Sequence, residues 1–223
     1  MTQQVALLGH PVAASLSPRM QNAAFAARGL DWHYAAFDVL DVVEAVRGLR
    51  ALGFAGANVT VPHKQAVVEA CDEVDGPAVN TLVFGDGRVV GHNTDRAILG
   101  GIDARRACVI GDGGAARALA PALPAATRSY SRRGAWPPDA TDCDLIVNAT
   151  PVRDELLVVP QAGQTVVDLA YGAEETALVA AARAAGCTVI DGREALVRQG
   201  AASFELWTGL AAPIDVMREA VRL

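Results

Sequence analysis

Long apolar runs are missing from this 223-residue chain, and none approaches the ~18 residues that a membrane-spanning helix needs. Hydrophobic residues still make up 52% of the chain and charged residues only 20%, a balance that excludes an intrinsically disordered protein. The formal net charge of −6 argues against a broadly nucleic-acid-binding surface. A small anionic ligand is compatible with that charge, because a few placed arginines or backbone N–H groups set the local field.

Cysteine and histidine are also scarce, with four of each and no ligand-like spacing among them. The cysteines stand far apart and form no CxxC pair, so the sequence predicts neither a disulfide framework nor a zinc site. A reducing cytoplasm fits this usage best, and the N-terminus shows no signal-peptide pattern. The eight residues are Cys71, Cys108, Cys143, Cys187, His10, His33, His63 and His92.

Lysine is the scarcest residue with acid–base potential. Of the 19 lysine and arginine residues, Lys64 is the single lysine. Arginine stays protonated in proteins, whereas a lysine can be tuned to give and take a proton. Codon bias would explain a general preference for arginine, but it leaves Lys64 as the basic side chain to examine for chemistry.

Residues 1–97 are predicted to form a first α/β unit. Its strands are predicted at 5–9, 33–39 and 56–60, followed by a hairpin of 81–84 and 88–91. Helix signals separate these strands. Ser17 is a candidate N-cap, Asp41 with Glu44 resembles a capping box, and Pro62 is predicted to open a helix that runs to about Cys71.

Residues 98–202 are predicted to form a second unit. Its strands are predicted at 107–110, 128–131, 145–148, 165–168 and 187–190, and its helices at 115–123 and 174–185. Strands that alternate with helices indicate a parallel, doubly wound sheet of the Rossmann type. Helices at 203–211 and 213–222 are expected to pack back on the first unit, and a cleft between the units is the expected ligand site.

A glycine turn is the clearest motif of the second unit. A strand leads into Gly111-Asp112-Gly113-Gly114, and a helix leaves from Ala115. Such a turn lets backbone N–H groups reach a pyrophosphate at a helix N-terminus, so we expect it to bind a dinucleotide.

The next strand ends in Ser131-Arg132 and not in the acidic residue that a ribose contact of the NAD type requires. An arginine at this place can pair with a 2′-phosphate and stack on adenine. The sequence therefore favours NADP over NAD.

Small polar groups also recur at predicted strand ends and helix starts of the first unit, where α/β sheets bind ligands. The segments are GHPVAASLSP at 9–18, NVTVPHK at 58–64, AVNTL at 78–82 and GHNTD at 91–95. Later segments extend the pattern: NAT at 148–150, DLAY at 168–171, DG at 191–192 and QGAASFELWTG at 199–209. In this joint order the motifs resemble the shikimate dehydrogenase family over almost the whole chain.

The resemblance implies reversible, NADPH-dependent reduction of 3-dehydroshikimate to shikimate, in the chorismate pathway of aromatic amino-acid biosynthesis. It implies that Lys64 and Asp95 form the catalytic acid–base pair. The implied substrate contacts are Ser15 and Ser17 at the carboxylate, with Thr60, Asn80 and Gln199 at the ring. The implied cofactor contacts are Gly111, Gly113, Gly114 and Ala115 at the pyrophosphate, Ser131 and Arg132 at the adenosine phosphate, and Thr150 and Gly192 on the nicotinamide side.

The sequence also departs from the family pattern. Ala14 and Gln21 stand where the family usually has histidine, and the stretch 71–78 is shorter than usual. Segment 151–154 lacks the glycine and methionine that line the nicotinamide side in the family. These departures leave the implied pair intact and bear on cofactor geometry and rate.

Two other functions stay open on the residues alone. One is a quinate/shikimate dehydrogenase that uses NAD, and the other is a non-catalytic relative that binds a cofactor or carbocyclic acid as a sensor. The presence of both Lys64 and Asp95 counts against the sensor. The expected partners are small molecules, with no nucleic acid and no membrane, and the chain is expected to be a monomer or homodimer.

Overall fold

The computed structural model describes residues 2–222, which fall into two compact units. Unit 1 consists of residues 2–97 together with 197–222, and unit 2 consists of residues 98–196. Each unit is built on its own sheet, of six strands in unit 1 and five in unit 2. The predicted α/β class is confirmed, and so is the parallel, Rossmann-type sheet of the second unit.

The sheet of unit 1 has the strand order β2–β1–β3–β5–β6–β4. Its elements are β1 Gln3–Gly9, α1 Ser17–Ala27, β2 Trp32–Asp38, α2 Val42–Ala51, β3 Gly56–Val59, β4 Glu73–Val74, β5 Thr81–Gly85 and β6 Arg88–His92. β1 lies between β2 and β3 in parallel, and β5 is antiparallel to both β3 and β6. The predicted hairpin is confirmed, with positive φ at Asp86 and Gly87 in its turn.

One face of this sheet carries a core cluster that holds α2 in place. Ala6 and Leu8 of β1 pack with Val46 of α2 and with Leu82 of β5, all almost fully buried. β1 reads as a continuous apolar run because a parallel strand inside a sheet is covered on both faces. The cluster fixes the ends of β1 and β3, from which the candidate site is built.

Of the two predicted helix starts, that of α2 is confirmed and that of α1 is wrong. Asp41 caps α2, because its carboxylate accepts the backbone N–H of Glu44 at 3.0 Å. The prediction for Ser17 was wrong, since the N-cap of α1 is Leu16 and Ser17 is the first helical residue. The N–H of Ser17 is instead bound by the hydroxyl of Ser15, at 3.2 Å.

The helix predicted from Pro62 to Cys71 was also wrong in extent. Residues 61–65 form turns, and only Ala66–Ala70 forms a 3₁₀ helix. Bonds from distant strands override the local pattern here. The Lys64 carbonyl accepts the N–H of Val79 at 2.8 Å, and the His63 ring lies 2.8 Å from the Val39 carbonyl.

The sheet of unit 2 has the strand order β11–β10–β9–β7–β8, all in parallel. Its elements are β7 Arg106–Ile110, α3 Gly114–Leu119, β8 Ala126–Tyr130, β9 Leu145–Asn148, β10 Thr165–Asp168, α4 Ala177–Ala184 and β11 Thr188–Ile190. The chain order reverses between β7 and β9, and such a switch point is where open α/β sheets bind ligands. The glycine turn follows β7 directly.

The C-terminal part of the chain is one long helix and one short helix, α5 Gly192–Thr208 and α6 Ile214–Ala220. The helix predicted at 203–211 was wrong in extent, because residues 203–208 are the last part of α5 and the helix ends at Thr208. Trp207 of α5 donates its indole N–H to the Leu82 carbonyl at 2.9 Å, and α6 packs on α1. Within residues 2–222, no helix combines the length and apolar character that crossing a membrane requires.

Candidate active site

A buried ion pair joins the two residues for which the sequence implied proton transfer. Lys64 Nζ lies 2.5 Å from Asp95 Oδ2, although 31 positions separate the residues. Their side chains are only 14% and 9% exposed. Lys64 lies in the turn after β3, and Asp95 lies in the 3₁₀ helix Thr94–Leu99 that follows β6. Burying two charges has a desolvation cost that offsets much of their attraction, so the pair points to chemistry more than to stability.

Asn80 fixes the second oxygen of the Asp95 carboxylate. Its side-chain N–H donates to Asp95 Oδ1 at 2.8 Å. Its side-chain oxygen Oδ1 accepts from the N–H of Thr94 at 2.8 Å and from the Thr94 hydroxyl at 3.0 Å. Asn80 is 2% exposed. Both oxygens of Asp95 are therefore bound, one by Lys64 and one by Asn80, which determines where the carboxylate points.

A buried hydrogen-bond network extends from Asn80 through three hydroxyl groups. The side-chain amide nitrogen of Asn58 lies 3.0 Å from each of three oxygens: the backbone carbonyl of Asn80 and the hydroxyls of Thr81 and Ser203. The hydroxyls of Thr81, Thr94 and Ser203 lie 2.8–3.1 Å from one another. Because these residues come from β3, β5, the 3₁₀ helix and α5, the network locks four elements of unit 1 around the ion pair.

Tyr34 connects this network to Ser17, the first residue of α1. Its phenol donates to Asn58 Oδ1 at 2.8 Å. Burial raises the pKa of Tyr34 far above its ordinary value, and a hydrogen bond with the Ser17 side chain opposes this only in part. Tyr34 therefore stays a donor at neutral pH. Ser17 is buried against it, and Ser15 holds the N–H of Ser17.

The two remaining predicted substrate residues also lie in unit 1. Thr60 follows β3, between Asn58 and Lys64, and its backbone N–H donates to the Leu8 carbonyl at 2.9 Å. The Gln199 carbonyl accepts from the Ser203 hydroxyl at 3.1 Å, which places Gln199 one helical turn before a member of the network. Direct contact joins Lys64, Asp95 and Asn80, whereas Thr60 and Gln199 adjoin network residues along the chain.

The glycine turn of unit 2 has the geometry that close approach of a phosphate requires. Gly111 has φ +118°, and a Cβ added to it would lie 3.0 Å from the Ala149 carbonyl oxygen. Gly113 is the N-cap of α3 and makes no side-chain cap bond. An added Cβ at Gly113 or Gly114 would meet no atom within 4 Å. The start of α3, with Ala115 in its first turn, thus offers uncapped N–H groups beside open space, which fits a pyrophosphate.

Arg132 lies beyond the end of β8 and is already paired. Its guanidinium lies 2.5 Å from Glu155 Oε2 and 5.3 Å from the centre of the Trp136 ring. Both partners of the ion pair are more than half exposed, and such pairs stabilise a protein little. The N–H of Ser131 donates to the Ala135 carbonyl at 3.2 Å and closes the turn that presents Arg132.

The residues predicted for the nicotinamide side are Thr150, which is held by a side chain, and Gly192, which is confined by nearby backbone. The Thr150 hydroxyl and N–H donate to Asn148 Oδ1 at 2.7 and 3.0 Å. A Cβ added to Gly192 would lie 2.8 Å from the carbonyl carbon of Ala170, so only glycine fits there. Gly192 and Tyr171 border a cavity of about 100 Å³. That volume is well below the ~300 Å³ of a typical ligand pocket.

Asp168, at the end of β10, is a fully buried acid next to these residues. It accepts hydrogen bonds from the Thr176 hydroxyl at 2.6 Å, the Asn148 amide at 2.9 Å and the Ala170 N–H at 3.0 Å. Burial nevertheless raises the pKa of Asp168, since these donors offset only part of the desolvation cost. The carboxylate organises the loop that leads from β10 into α4.

Known proteins match this chain along its length. The family model described as the shikimate dehydrogenase substrate binding domain matches residues 7–82, and the model of the shikimate 5′-dehydrogenase C-terminal domain matches residues 192–222. A shikimate dehydrogenase (NADP⁺) of Moorella thermoacetica is 42% identical over 99% of this chain and 93% of its own length. The crystal structure of the Thermus thermophilus enzyme in complex with NADP(H) and shikimate has a TM-score of 0.86 at 33% identity, over 98% of both chains.

The chain belongs to the shikimate dehydrogenase family. The resemblance predicted from the motifs is therefore confirmed. A crystal structure of another shikimate dehydrogenase in complex with NADP⁺ matches 98% of this chain with a TM-score of 0.87, at 33% identity.

Sequence reasoning gave no role to much of the network in this shikimate dehydrogenase relative. Asn58, Thr81, Thr94 and Ser203 stood inside the quoted motifs, but none was named as a functional residue. The available signal was polarity inside apolar elements: Asn58 lies in a four-residue strand that is buried throughout, and Thr81 opens β5 fully buried. Buried polar groups need partners, so such residues mark a network before its members are known.

Proposed function

We propose that this chain catalyses the reversible oxidation of shikimate to 3-dehydroshikimate with NADP⁺. The observation that carries the proposal is the buried Lys64–Asp95 pair, set by Asn80 in a preorganised polar network. Unit 1, which contains this pair, also contains the residues that match the family's substrate binding domain. Full-length relatives that are named NADP⁺-dependent shikimate dehydrogenases support the same activity.

The reaction needs one hydride acceptor and one proton acceptor. Bound NADP⁺ supplies the hydride acceptor. In the oxidation direction, Lys64 as a neutral amine takes the proton of the reacting hydroxyl while the carbonyl forms. In the reduction direction, the Lys64 ammonium stabilises the developing alkoxide and protonates it. Asp95 orients the amine and relays the proton onward.

The substrate residues are assigned as part of this proposal. Ser15 and Ser17 bind the shikimate carboxylate through their hydroxyl groups. Thr60, Asn80 and Gln199 bind ring hydroxyls, which suits their mixed donor and acceptor groups. None of these side chains is cationic, so the carboxylate is recognised by hydrogen bonds and is not paired with a fixed charge.

The cofactor residues are assigned in the same way. Gly111, Gly113, Gly114 and Ala115 hold the pyrophosphate at the start of α3. Ser131 and Arg132 bind the 2′-phosphate, and Thr150 and Gly192 lie along the nicotinamide. Because the Arg132–Glu155 pair is exposed and weak, a phosphate can replace Glu155 on the guanidinium at little cost.

The test is an absorbance assay of nicotinamide reduction by the full-length protein. Four reactions pair shikimate or quinate with NADP⁺ or NAD⁺. We expect the highest kcat/KM for shikimate with NADP⁺. Preference for quinate with NAD⁺ would select the alternative dehydrogenase, and calorimetric binding of shikimate or NADP⁺ without turnover would select a non-catalytic relative. We place the enzyme in the cytoplasm as a monomer or homodimer, and sedimentation velocity distinguishes these two states.

A further inference from the structure

We propose that Asp75 is a positioning residue for the acid–base pair: it fixes the backbone turn that carries Asp95. The inference rests on the proposed function for its kinetic consequence, but its structural consequence can be measured separately. Asp75 lies in the short 71–78 stretch, outside every motif that implied the family.

The segment that precedes Asp75 is added to the sheet as a two-residue strand. Glu73 and Val74 pair with Val90 and Gly91 of β6, and the N–H of Asp75 donates to the Gly91 carbonyl at 3.2 Å. Asp75 therefore follows β6 in register and reaches the point where β6 ends. The next residues of the β6 chain lead into the turn that carries Asp95.

Asp75 binds the first peptide group of that turn. Its Oδ1 accepts the backbone N–H of Asn93 at 3.0 Å. The side chain of Asn93 then accepts the backbone N–H of Asp95 at 3.2 Å. Two consecutive side-chain-to-backbone bonds thus run from Asp75 through Asn93 to the backbone of Asp95.

Arg96 adds a second connection between the same segments. Arg96 directly follows Asp95, and its Nη2 donates to the Asp75 carbonyl at 2.6 Å and lies 3.6 Å from Asp75 Oδ1. A Cβ on Gly76 would lie 2.9 Å from that nitrogen, so the missing side chain makes room for the guanidinium. The backbone of Asp95 is therefore tied to Asp75 on both sides, through Asn93 and through Arg96.

Charge alone does not explain this arrangement. The Asp75 side chain is 40% exposed, and the His92 ring is 3.5 Å from its second oxygen. Asp75 and His92 line an open cavity of about 410 Å³, together with Glu205 of α5. Solvent screens the Asp75 charge at this exposed position. The hydrogen bond from the Asn93 N–H to Asp75 fixes the backbone of the buried turn even where the charge is screened.

Steady-state kinetics with shikimate and NADP⁺ provide the first test. Asp75→Ala removes the acceptor of the Asn93 N–H, and we expect kcat to fall about tenfold while the KM for shikimate changes less than about threefold. Asp75→Asn keeps an acceptor oxygen in place, and its kcat should stay within about threefold of the parent value. Equal losses in both variants would overturn the hydrogen-bond argument. Glu73→Ala is the matched control, because Glu73 lies two residues away and its carboxylate pairs with the exposed Arg88.

A spectroscopic test does not depend on turnover. Because Lys64 is the single lysine, protein labelled with ¹³C at lysine Cε gives one lysine resonance. We expect Asp75→Ala to move this resonance towards its position in Asp95→Asn, and Asp75→Asn and Glu73→Ala to leave it in place. A resonance unchanged in Asp75→Ala but shifted in Asp95→Asn would overturn the inference, even if the chain does not oxidise shikimate. If Asp75→Ala does not fold, Arg96→Ala takes its place, because it removes only the second connection. We then expect a partial shift of the lysine resonance, and an unchanged resonance would contradict the proposal.

Discussion

The candidate site of unit 1 and the glycine turn of unit 2 satisfy their polar groups in opposite ways. In unit 1, Asp95 and Asn80 are buried, and Asp95 is bonded both to Asn80 and to the half-buried Lys64. In unit 2, the start of α3 presents uncapped backbone N–H groups, and Arg132 holds an exposed carboxylate. The groups of the first site are held by one another, whereas in the second, under the proposed function, a cofactor phosphate would replace Glu155 on Arg132.

This difference separates the kinetic consequences of substitutions. A preorganised polar site stabilises charge that develops in the transition state, so damage to unit 1 should lower kcat. An exposed exchangeable contact contributes to ground-state binding, so damage to the unit 2 turn should raise the KM of the cofactor. Substitutions at Lys64, Asn80 and Arg132 test this division, in order of decreasing expected effect, and Asp168 adds a smaller effect on stability.

Removal of the Lys64 amine should have the largest effect. Lys64→Ala should lower kcat by about 10²–10⁴, the usual contribution of a positioned acid–base group. Lys64→Arg keeps the positive charge but cannot release a proton, so its kcat should be almost as low. The measurement is shikimate-dependent NADP⁺ reduction, with circular dichroism as the check on folding. Full activity in Lys64→Ala would refute the assignment of the proton-transfer group.

Asn80→Ala should lower both kcat and stability. It leaves Asp95 Oδ1 and the N–H of Thr94 without their partner, and a buried unsatisfied group costs about 1–3 kcal/mol. We expect kcat to fall about tenfold or more, because Asp95 loses its second anchor. Asn22→Ala is the matched control. Asn22 binds the backbone of Tyr34 in the same unit, so its loss should reduce the urea midpoint and spare kcat.

Arg132 and Glu155 test the exchange of partners in unit 2. Arg132→Ala should raise the KM for NADP⁺ about tenfold and leave the KM for NAD⁺ nearly unchanged, since only NADP⁺ carries the 2′-phosphate. Glu155→Gln frees the guanidinium and should lower the KM for NADP⁺. Arg133→Ala, one residue further on, serves as control. A parallel change of both cofactors in Arg132→Ala would contradict the assignment.

Asp168 provides the smallest effect, a pH dependence of stability. Burial raises its pKa in the folded chain above the unfolded value near ~3.9, so the folded state takes up this proton first as pH falls. Asp168 therefore contributes more to the free energy of unfolding as the pH falls from above its pKa in the folded chain to its lower pKa in the unfolded chain. Relative to Asp168→Asn, the parent protein should gain stability as pH falls from 7 towards 4. Urea midpoints across this range measure it, and parallel curves would contradict the raised pKa.

Local apolar patterns predicted the strands, whereas the roles of the candidate site residues came from the resemblance to the family. Apolar runs marked β1 and β7, and the scarcity of lysine marked Lys64. The motif order implied Asp95 as its partner, which no local pattern could pair across 31 positions.

The errors arose where distant contacts override local preference. Pro62 signals a helix start, but the bond between the Lys64 carbonyl and the Val79 N–H holds that stretch as turns. Ser17 is a good N-cap residue, yet its side chain bonds Tyr34 and so enters the buried network. Glu155 could not be foreseen beside Arg132, since an irregular segment brings it there. Tertiary partners of this kind leave no periodicity in the sequence.

Unit 1 is discontinuous in sequence, and this has a consequence for biosynthesis. Residues 2–97 leave the ribosome before unit 2, whereas Ser203 and Trp207, which complete the hydrogen bonds of Asn58 and Leu82, leave after it. Unit 2 is continuous, so it can fold while unit 1 still lacks residues 197–222. Synthesis of unit 1 thus begins before unit 2 and ends after it, and a nascent polypeptide stalled before residue 197 would carry a complete unit 2 and an incomplete unit 1.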